Sequence, residues 1–338
     1  MDIIAHVDIR VKVEVEKEDA FSQRYGNKWE SKKKAAKKVA EKMIQIGEKV
    51  RGIRMMNCAE IVNGKVCEKC GQMHVQYANL CRDRFCPVCK WRLSMRRFTS
   101  MYAIVTGLRR RYPESAWQFV TLTCVNCAPK DLPDVLDEMQ RCWNAIASAK
   151  KLKKKVAGWA KATEITYNEV TGQLHPHFHV LVMYEELEEP DNYIIERWCK
   201  GLKYKTSVLA QNAQTIEFRA EEQLNIGWQV DQNPEDDKII NAVLETYKYS
   251  IKDKDAENMP LGVFHTLVET LQGRRLTAFG GAVKEYAKEL DVERMDDADE
   301  HDENEIDRET ERCIKCGDSR LVEVIGQWAG DSYIWRRS

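Results

Sequence analysis

Three histidines fall within five residues, in the run His175-Pro176-His177-Phe178-His179-Val180-Leu181-Val182. In a strand, alternate side chains share a face, so His175, His177 and His179 point one way and Phe178, Val180 and Val182 point into a core. Two imidazoles at i and i+2 can share one metal ion. A turn centred near Val170-Thr171 sets residues whose numbers sum to about 341 across from each other, so Glu164 lies opposite His177 at the ~5 Å of facing side chains. Two imidazoles and a carboxylate leave coordination positions open. That suits a catalytic Mn²⁺ or Mg²⁺ better than a closed structural zinc.

A second group lies in Glu245-Thr246-Tyr247-Lys248-Tyr249-Ser250-Ile251-Lys252. On a helix, Glu245, Tyr249 and Lys252 share a face. Tyr247 points about 200° round the helix and is not expected to act as a second nucleophile. A tyrosine hydroxyl ionises only near ~10 and attacks an electrophile only if that electrophile is activated. Tyr249 is therefore a candidate nucleophile toward a phosphate. Lys252 can steady charge on the phosphoryl group, and Glu245 can act as a general base for water or for a second strand transfer.

Twelve cysteines form the third group. Cys67-x2-Cys70-x15-Cys86-x2-Cys89 fits a two-knuckle zinc template, with Cys58, Cys81 and His74 as spare ligands. Cys124 and Cys127 sit at a strand end and read as packing residues. Cys313 and Cys316 form half a zinc site that needs ligands from elsewhere, and their role is left open.

These residues need elements to hold them. A β-like alternation (Val7, Ile9, Val11, Val13, Val15) precedes a Lys-rich helix from about Trp29 to Val50. After the cysteine module, apolar positions at Leu93, Phe98, Met101, Ile104, Val105 and Leu108 predict a helix. Trp117 to Cys124 predicts a strand, and Leu132 to about Leu152 a helix with Pro133 in its first turn. Gly158 to Tyr167 and Leu174 to Tyr184 predict a hairpin. A helix at Tyr193 to Leu202, strand material from Thr215 to Val230, and a helix at Lys238 to Ser250 follow. Pro260 to Leu290 reads as largely helical, interrupted at Gly280-Gly281. Strands joined by hairpins rather than strict βαβ units indicate an α+β fold with an antiparallel sheet.

The formal net charge of −1 conceals a segregation of signs. Arg82, Arg84, Lys90, Arg92, Arg96 and Arg97 lead one basic run, and Lys150 to Lys155 and Lys28 to Arg51 hold two others. Asp291 to Glu311 is strongly acidic and reads as an extended linker. Basic surface on this scale points to a nucleic-acid partner. No 18-residue apolar run is present, which excludes a membrane-spanning helix, and no secretory signal is expected. Cysteines without an export signal suggest metal or thiol chemistry in a reducing cytosol.

Taken in chain order, these segments resemble the plasmid rolling-circle replication initiators of small Gram-positive plasmids, which are HUH endonucleases. Phe119-Val120-Thr121-Leu122-Thr123 is similar to their first motif strand, and Glu164 through His175–Leu181 to their metal-binding motif. Glu245 through Tyr249 and Lys252 resembles their nucleophile motif. Cys81 through Arg92 resembles their cysteine-rich element, and Gly273-Arg274-Arg275-Leu276 through Gly280-Gly281 their closing segment. The likeness covers about Arg54 to Leu290.

The resemblance implies an HUH nuclease domain with a central antiparallel sheet flanked by helices, plus a cysteine-rich zinc-binding module. The expected layout is an N-terminal strand and basic helix (1–50), the zinc module and basic helix (51–110), the nuclease domain (111–290), the acidic linker (291–311) and a C-terminal Cys-x-x-Cys segment (312–338). It implies His177 and His179 as metal ligands, Tyr249 as nucleophile and Glu245 as the terminating carboxylate. It favours Cys58 and Cys81 as partners of Cys86 and Cys89 on zinc. The implied reaction nicks single-stranded or extruded-hairpin origin DNA, leaves the enzyme on the 5′ phosphate through tyrosine, and frees a 3′ hydroxyl for priming. Origin DNA, a host helicase and a polymerase are the implied partners, in the bacterial cytoplasm. Transposases and relaxases of the same superfamily share the histidine pair. A non-catalytic zinc-ribbon nucleic-acid binder is the alternative of another class.

Overall fold

A computed structural model describes residues 27–71, 73–185, 192–203, 212–216, 243, 251, 253–292, 312–313 and 316–337. The fold is α+β, with two antiparallel sheets and flanking helices. The chain divides into two compact units. One takes the described residues up to Trp91 and those from 312 onward, and the other takes those from Arg92 to 292.

In the first unit, helix α1 (Asn27–Gln45) buries Trp29, Ala36, Val39, Ala40 and Met43, a stripe at helical spacing. The expected single helix to Val50 is instead two. Gly47 adopts a left-handed φ of +93° after α1, and α2 (Lys49–Met56) starts in a new direction. Gly52 lets the two helices touch, because a Cβ there would lie 2.8 Å from Ala40 O. Lys33, counted above with the basic run, is fully buried. Its ammonium donates to Met56 O (2.7 Å) and Cys58 O (2.6 Å), meeting carbonyls that the end of α2 leaves unpaired.

Strands β1 (Ile61–Cys67) and β2 (Met73–Ala78) form a hairpin. The C-terminal segment supplies the other two strands of this sheet, β8 (Leu321–Trp328) and β9 (Tyr333–Arg337), in the order β2-β1-β8-β9. The β1–β8 ladder runs from Ile61↔Gln327 to Cys67↔Leu321.

The second unit begins with the turns of α3 (Pro87–Arg111) beyond Trp91. Its sheet has the order β6-β3-β5-β4-β7, from β3 (Ala116–Thr123), β4 (Val156–Asn168), β5 (Gln173–Tyr184), β6 (Asn212–Ile216) and β7 (Thr277–Gly280). Strand β5 lies at the centre, and its alternation divides the core. Leu181 and Met183 join Trp117, Phe119 and Ala160 against Met101, Ile104, Val105 and Leu108 of α3 and Val283 and Ala287 of α7 (Gly281–Glu289). On the other face Phe178 meets Trp198 of α6 (Tyr193–Gly201), and Trp159 of β4 meets Trp143 of α4 (Leu132–Ser148). A short helix, α5 (Lys150–Lys153), completes the expected Leu132–Leu152 element.

Residues 277–280, expected within a largely helical stretch, instead pair with β4 from Trp159↔Gly280 to Ala162↔Thr277. The strand is too short for its period to register in sequence. The Gly280-Gly281 interruption has a steric cause. Gly281 has φ +58°, and a Cβ on it would collide with Ala157 O, so glycine alone allows the chain to turn from β7 into α7 against β4.

Glu138 ties α4 to the end of α6. It accepts from Arg141 Nε (2.7 Å) and Nη2 (2.6 Å) and from the Lys203 N–H (3.0 Å), while Arg141 donates to Gly201 O (2.9 Å). The hydrogen bond from Arg141 is the main reason its carboxyl is held down to about 2. A carboxylate with a depressed folded pKa stabilises the fold fully above its ordinary value of 4.5 and loses that contribution as pH falls toward about 2. Glu138→Gln should therefore flatten the acid limb of stability against pH in that window, read from urea-denaturation midpoints.

Candidate metal centres

The turn at Asn168–Gly172 sets the register of the β4–β5 hairpin. Asn168 Oδ1 accepts from the Val170 and Thr171 N–H groups at 3.0 Å each, and Gly172 takes φ +67°. The ladder then pairs Glu164 with His177 and Ala162 with His179, while β3 pairs Thr121 with His179 and Thr123 with His177. Glu164, His177 and His179 thus project from one face of two adjacent strands, in the row that Leu181 and Met183 continue into the apolar core.

Glu164 Oε2 lies 2.9 Å from His177 Nε2 and 3.0 Å from His179 Nε2. One ligand atom from each of the three residues lies within 4.8 Å of the others, and all three side chains are buried. Burial opposes ionisation of Glu164. The hydrogen bonds with His177 and His179 outweigh it and hold the carboxyl at about 2, so Glu164 stays ionised. The other imidazole nitrogens are also engaged. His177 Nδ1 faces His175 O at 3.3 Å, and His179 Nδ1 faces Thr121 Oγ1 at 3.3 Å, with the ring stacked 5.4 Å from Phe119. The contacts at Nδ1 fix both rings so that each Nε2 faces Glu164 Oε2, where a cation would take the place of the imidazole protons. The donor set of two imidazoles and one anionic oxygen fits a divalent ion with open positions.

His175 shares the face but not the cluster. Its Nδ1 pairs with Asn126 Oδ1 at 2.6 Å. Thr121, Phe119 and Asn126 were not singled out individually from sequence, because their proximity depends on which strand flanks β5. Glu245, Tyr249 and Lys252 lie outside the described residues.

The fold sorts the cysteines differently from the spacing template. Cys86 and Cys89, at the start of α3, gather with Cys58 and Cys81, whereas Cys67 and Cys70 do not join them. Cys58 Sγ lies 3.5 Å and Cys81 Sγ 3.6 Å from Cys89 Sγ. Four sulfurs about a zinc with ~2.3 Å bonds stand roughly 3.8 Å apart, whereas a disulfide requires ~2.05 Å. Backbone amides add the support thiolates need, since Cys81 N–H and Arg82 N–H each point at a sulfur, those of Cys58 and Cys89, at 3.3 Å. Hydrogen bonding from the Cys58, Cys86 and Cys89 thiols drives Cys81 far down, while burial drives Cys86 far up. This buried set could hold a metal ion.

The cations read as a DNA-binding surface divide. Arg82 is exposed and Arg84 and Arg96 are half-buried, but Lys90, Arg92 and Arg97 are buried. The stretch around them is a helix with an inward face, and long stems bury readily along it. The run Lys150, Lys151, Lys153, Lys154 and Lys155 is exposed throughout. Arg274 of the closing segment is held by Asp137 Oδ1 (2.5 Å) and Thr270 O (2.8 Å). Among the described residues no helix is long and apolar enough to cross a membrane.

Residues 72–331 match the family model described as "Replication protein". The chain is similar to a "Protein rep" from a Bacillus species, 30% identical over 256 residues that cover 73% of this chain and 82% of the relative. It is 28% identical over 235 residues to a "Protein rep" of Streptococcus pneumoniae serotype 2 (strain D39 / NCTC 7466), covering 68% and 69%. A "Protein rep" of Bacillus amyloliquefaciens is 28% identical over 284 residues, 81% of each chain. No solved structure matches. With the family match spanning most of the chain, from within the first hairpin to the turn after β8, this protein belongs to the replication protein family.

Proposed function

We propose that this chain is a plasmid rolling-circle replication initiator, a site-specific nuclease of the HUH type that cuts origin DNA through Tyr249. The observation that carries this reading is the meeting of Glu164 Oε2 with both His177 Nε2 and His179 Nε2 on one sheet face, in a member of a replication protein family. The same family match favours an initiator over a transposase or relaxase.

Glu164, His177 and His179 would hold a Mn²⁺ or Mg²⁺ ion, which when bound supplies Lewis-acid polarisation of the scissile phosphate. The Tyr249 oxygen forms a bond to phosphorus as the bond to the 3′ oxygen breaks. The phenol proton passes to solvent, and the departing 3′ oxygen takes one up as hydroxyl. Lys252 balances charge on the phosphoryl group, and Glu245 accepts the proton of the attacking group when strands are rejoined.

The segments flanking the tyrosine support this assignment. Val243 is buried with Phe119, Leu181 and α3, the core that continues the row of His177 and His179. Beyond the tyrosine, Ile251 is buried, and Asp255 Oδ2 accepts from the Tyr167 N–H at 3.2 Å. Tyr167 is three strand residues from Glu164, about 10 Å. Tyr249 lies six positions before Asp255, which sits in the helix Asp253–Asn258, so the tether spans at most ~17 Å. The exposed Lys150–Lys155 run suits a single-stranded phosphate backbone. In this reading Cys58, Cys81, Cys86 and Cys89 bind a structural zinc, a host helicase unwinds the duplex, and a polymerase extends the freed 3′ end.

The test incubates the full chain with Mn²⁺ or Mg²⁺ and a labelled oligonucleotide from the origin beside its own coding region. A denaturation-resistant protein–DNA adduct is expected. His177→Ala should raise the Mn²⁺ concentration for half-maximal nicking by at least about 100-fold, because losing even a group that only supports a ligand costs 10–100-fold. DNA binding without metal should persist. Binding without any adduct, across the whole origin, would favour a non-catalytic nucleic-acid binder.

A further inference from the structure

Cys67 and Cys70 find partners 243 or more residues away. Cys67 Sγ lies 3.4 Å from Cys316 Sγ, and Cys70 Sγ lies 3.5 Å from Cys313 Sγ. All four sulfurs fall within 4.8 Å of one another. These spacings are too long for disulfides and close to the edge of a tetrahedral zinc–thiolate site.

Both halves are built alike. Cys67-Glu68-Lys69-Cys70-Gly71 and Cys313-Ile314-Lys315-Cys316-Gly317 share the pattern Cys-x-Lys-Cys-Gly. In each, the glycine N–H donates to the carbonyl of the first cysteine at 2.7 Å, Gly71 to Cys67 and Gly317 to Cys313. Each glycine takes a left-handed φ, +68° and +70°. Such a tight turn swings two thiols of one short segment toward the same point, as a metal knuckle requires. The surrounding backbone fixes their approach. Cys67 ends the β1–β8 ladder opposite Leu321, and Glu68 N–H continues it to Arg320 O at 3.0 Å. The buried His74 of β2 sets its Nε2 3.3 Å from Cys313 Sγ, where an N–H would support a thiolate.

We propose that Cys67, Cys70, Cys313 and Cys316 form a second structural zinc site, separate from the Cys58/Cys81/Cys86/Cys89 set, that clasps the C-terminal β8–β9 hairpin onto the β1–β2 hairpin. Six thiols near the N-terminal module therefore do not compete for one or two ions. Four serve one ion, and two wait for partners that arrive from beyond the acidic stretch. This inference is independent of the nuclease reading.

The test is metal content by mass spectrometry of the full chain, purified under reducing conditions. Two zinc ions per chain are expected in wild type and one in Cys313→Ser/Cys316→Ser and in Cys67→Ser/Cys70→Ser. Wild type itself provides a check that needs no variant. Graded chelation should release two ions in separate steps, and release of one should speed amide exchange in Leu321–Trp328 at least about tenfold. One ion per chain with Cys67, Cys70, Cys313 and Cys316 open to alkylation in the native state would overturn the proposal. So would retention of two ions by both double variants.

Discussion

Tyr249→Phe should abolish the covalent protein–DNA adduct and lower origin nicking by about 10³-fold or more, while leaving oligonucleotide affinity within about twofold. The substitution removes one oxygen, the atom that would bond to phosphorus, and keeps the aromatic ring. Any residual cutting would then come from water, with Glu245 as base, and would leave no attached protein. Tyr247→Phe is the matched control. On the helix expected from the sequence it would point about 200° away, and it should keep the adduct. The measurement is a gel of labelled oligonucleotide after denaturation, run beside a binding titration. An adduct that survives in Tyr249→Phe and disappears in Tyr247→Phe would move the nucleophile and with it the meaning of the Glu-x3-Tyr spacing.

Cys86→Ser should have the largest effect on stability. Cys86 is completely buried, lies next to Pro87 where α3 begins, and belongs to the four-sulfur cluster. Apparent zinc-binding free energies in small thiolate domains run to about 10–16 kcal/mol, comparable with the about 5–15 kcal/mol that holds an ordinary domain together. Loss of one thiolate should therefore unfold the first unit. Trp29 and Trp91, whose rings meet edge-on at 5.0 Å in that unit, provide the signal through near-ultraviolet circular dichroism. Cys124→Ser is the contrast. That thiol is buried beside Met139 Sδ at 3.8 Å, outside the ligand clusters found among the described residues, and its loss should cost about 1–2 kcal/mol with no metal released. Chelation of wild type should reproduce the Cys86→Ser spectrum. Full retention of zinc and of the tryptophan signal by Cys86→Ser would contradict the assignment.

What could be read from sequence follows the range of the interactions. The β4–β5 hairpin is local. Asn168 to Gly172 closes it, the period-2 pattern on each side orients it, and counting from the turn puts Glu164 opposite His177, as the ladder does. The helix Leu132–Ser148 was equally legible, with Val135, Leu136, Met139, Cys142 and Trp143 on one buried stripe. Long-range closure was not legible. The Cys67–Cys70 and Cys313–Cys316 segments share a Cys-x-Lys-Cys-Gly pattern, but no local interaction joins them, because the β1–β8 ladder that brings them together spans about 250 residues of chain. Strand β7 has four residues and was absorbed into a helical expectation. Charge counting also misjudged Lys33, Lys90, Arg92 and Arg97. A cation on the inner face of a helix looks the same in sequence as one on the outer face until its neighbours are known.

The imidazole–carboxylate cluster and the tyrosine stand or fall together in one experiment. Wild-type protein is reacted with origin oligonucleotide in Mn²⁺, the DNA is trimmed with a nuclease, and the protein is digested and sequenced by mass spectrometry. The expected result is a nucleotide attached through a 5′ phosphate to Tyr249, formed with added metal, absent after chelation and absent in His177→Ala/His179→Ala. A nucleotide mapped to any other residue, or an equal yield of adduct without the histidine pair, would contradict it.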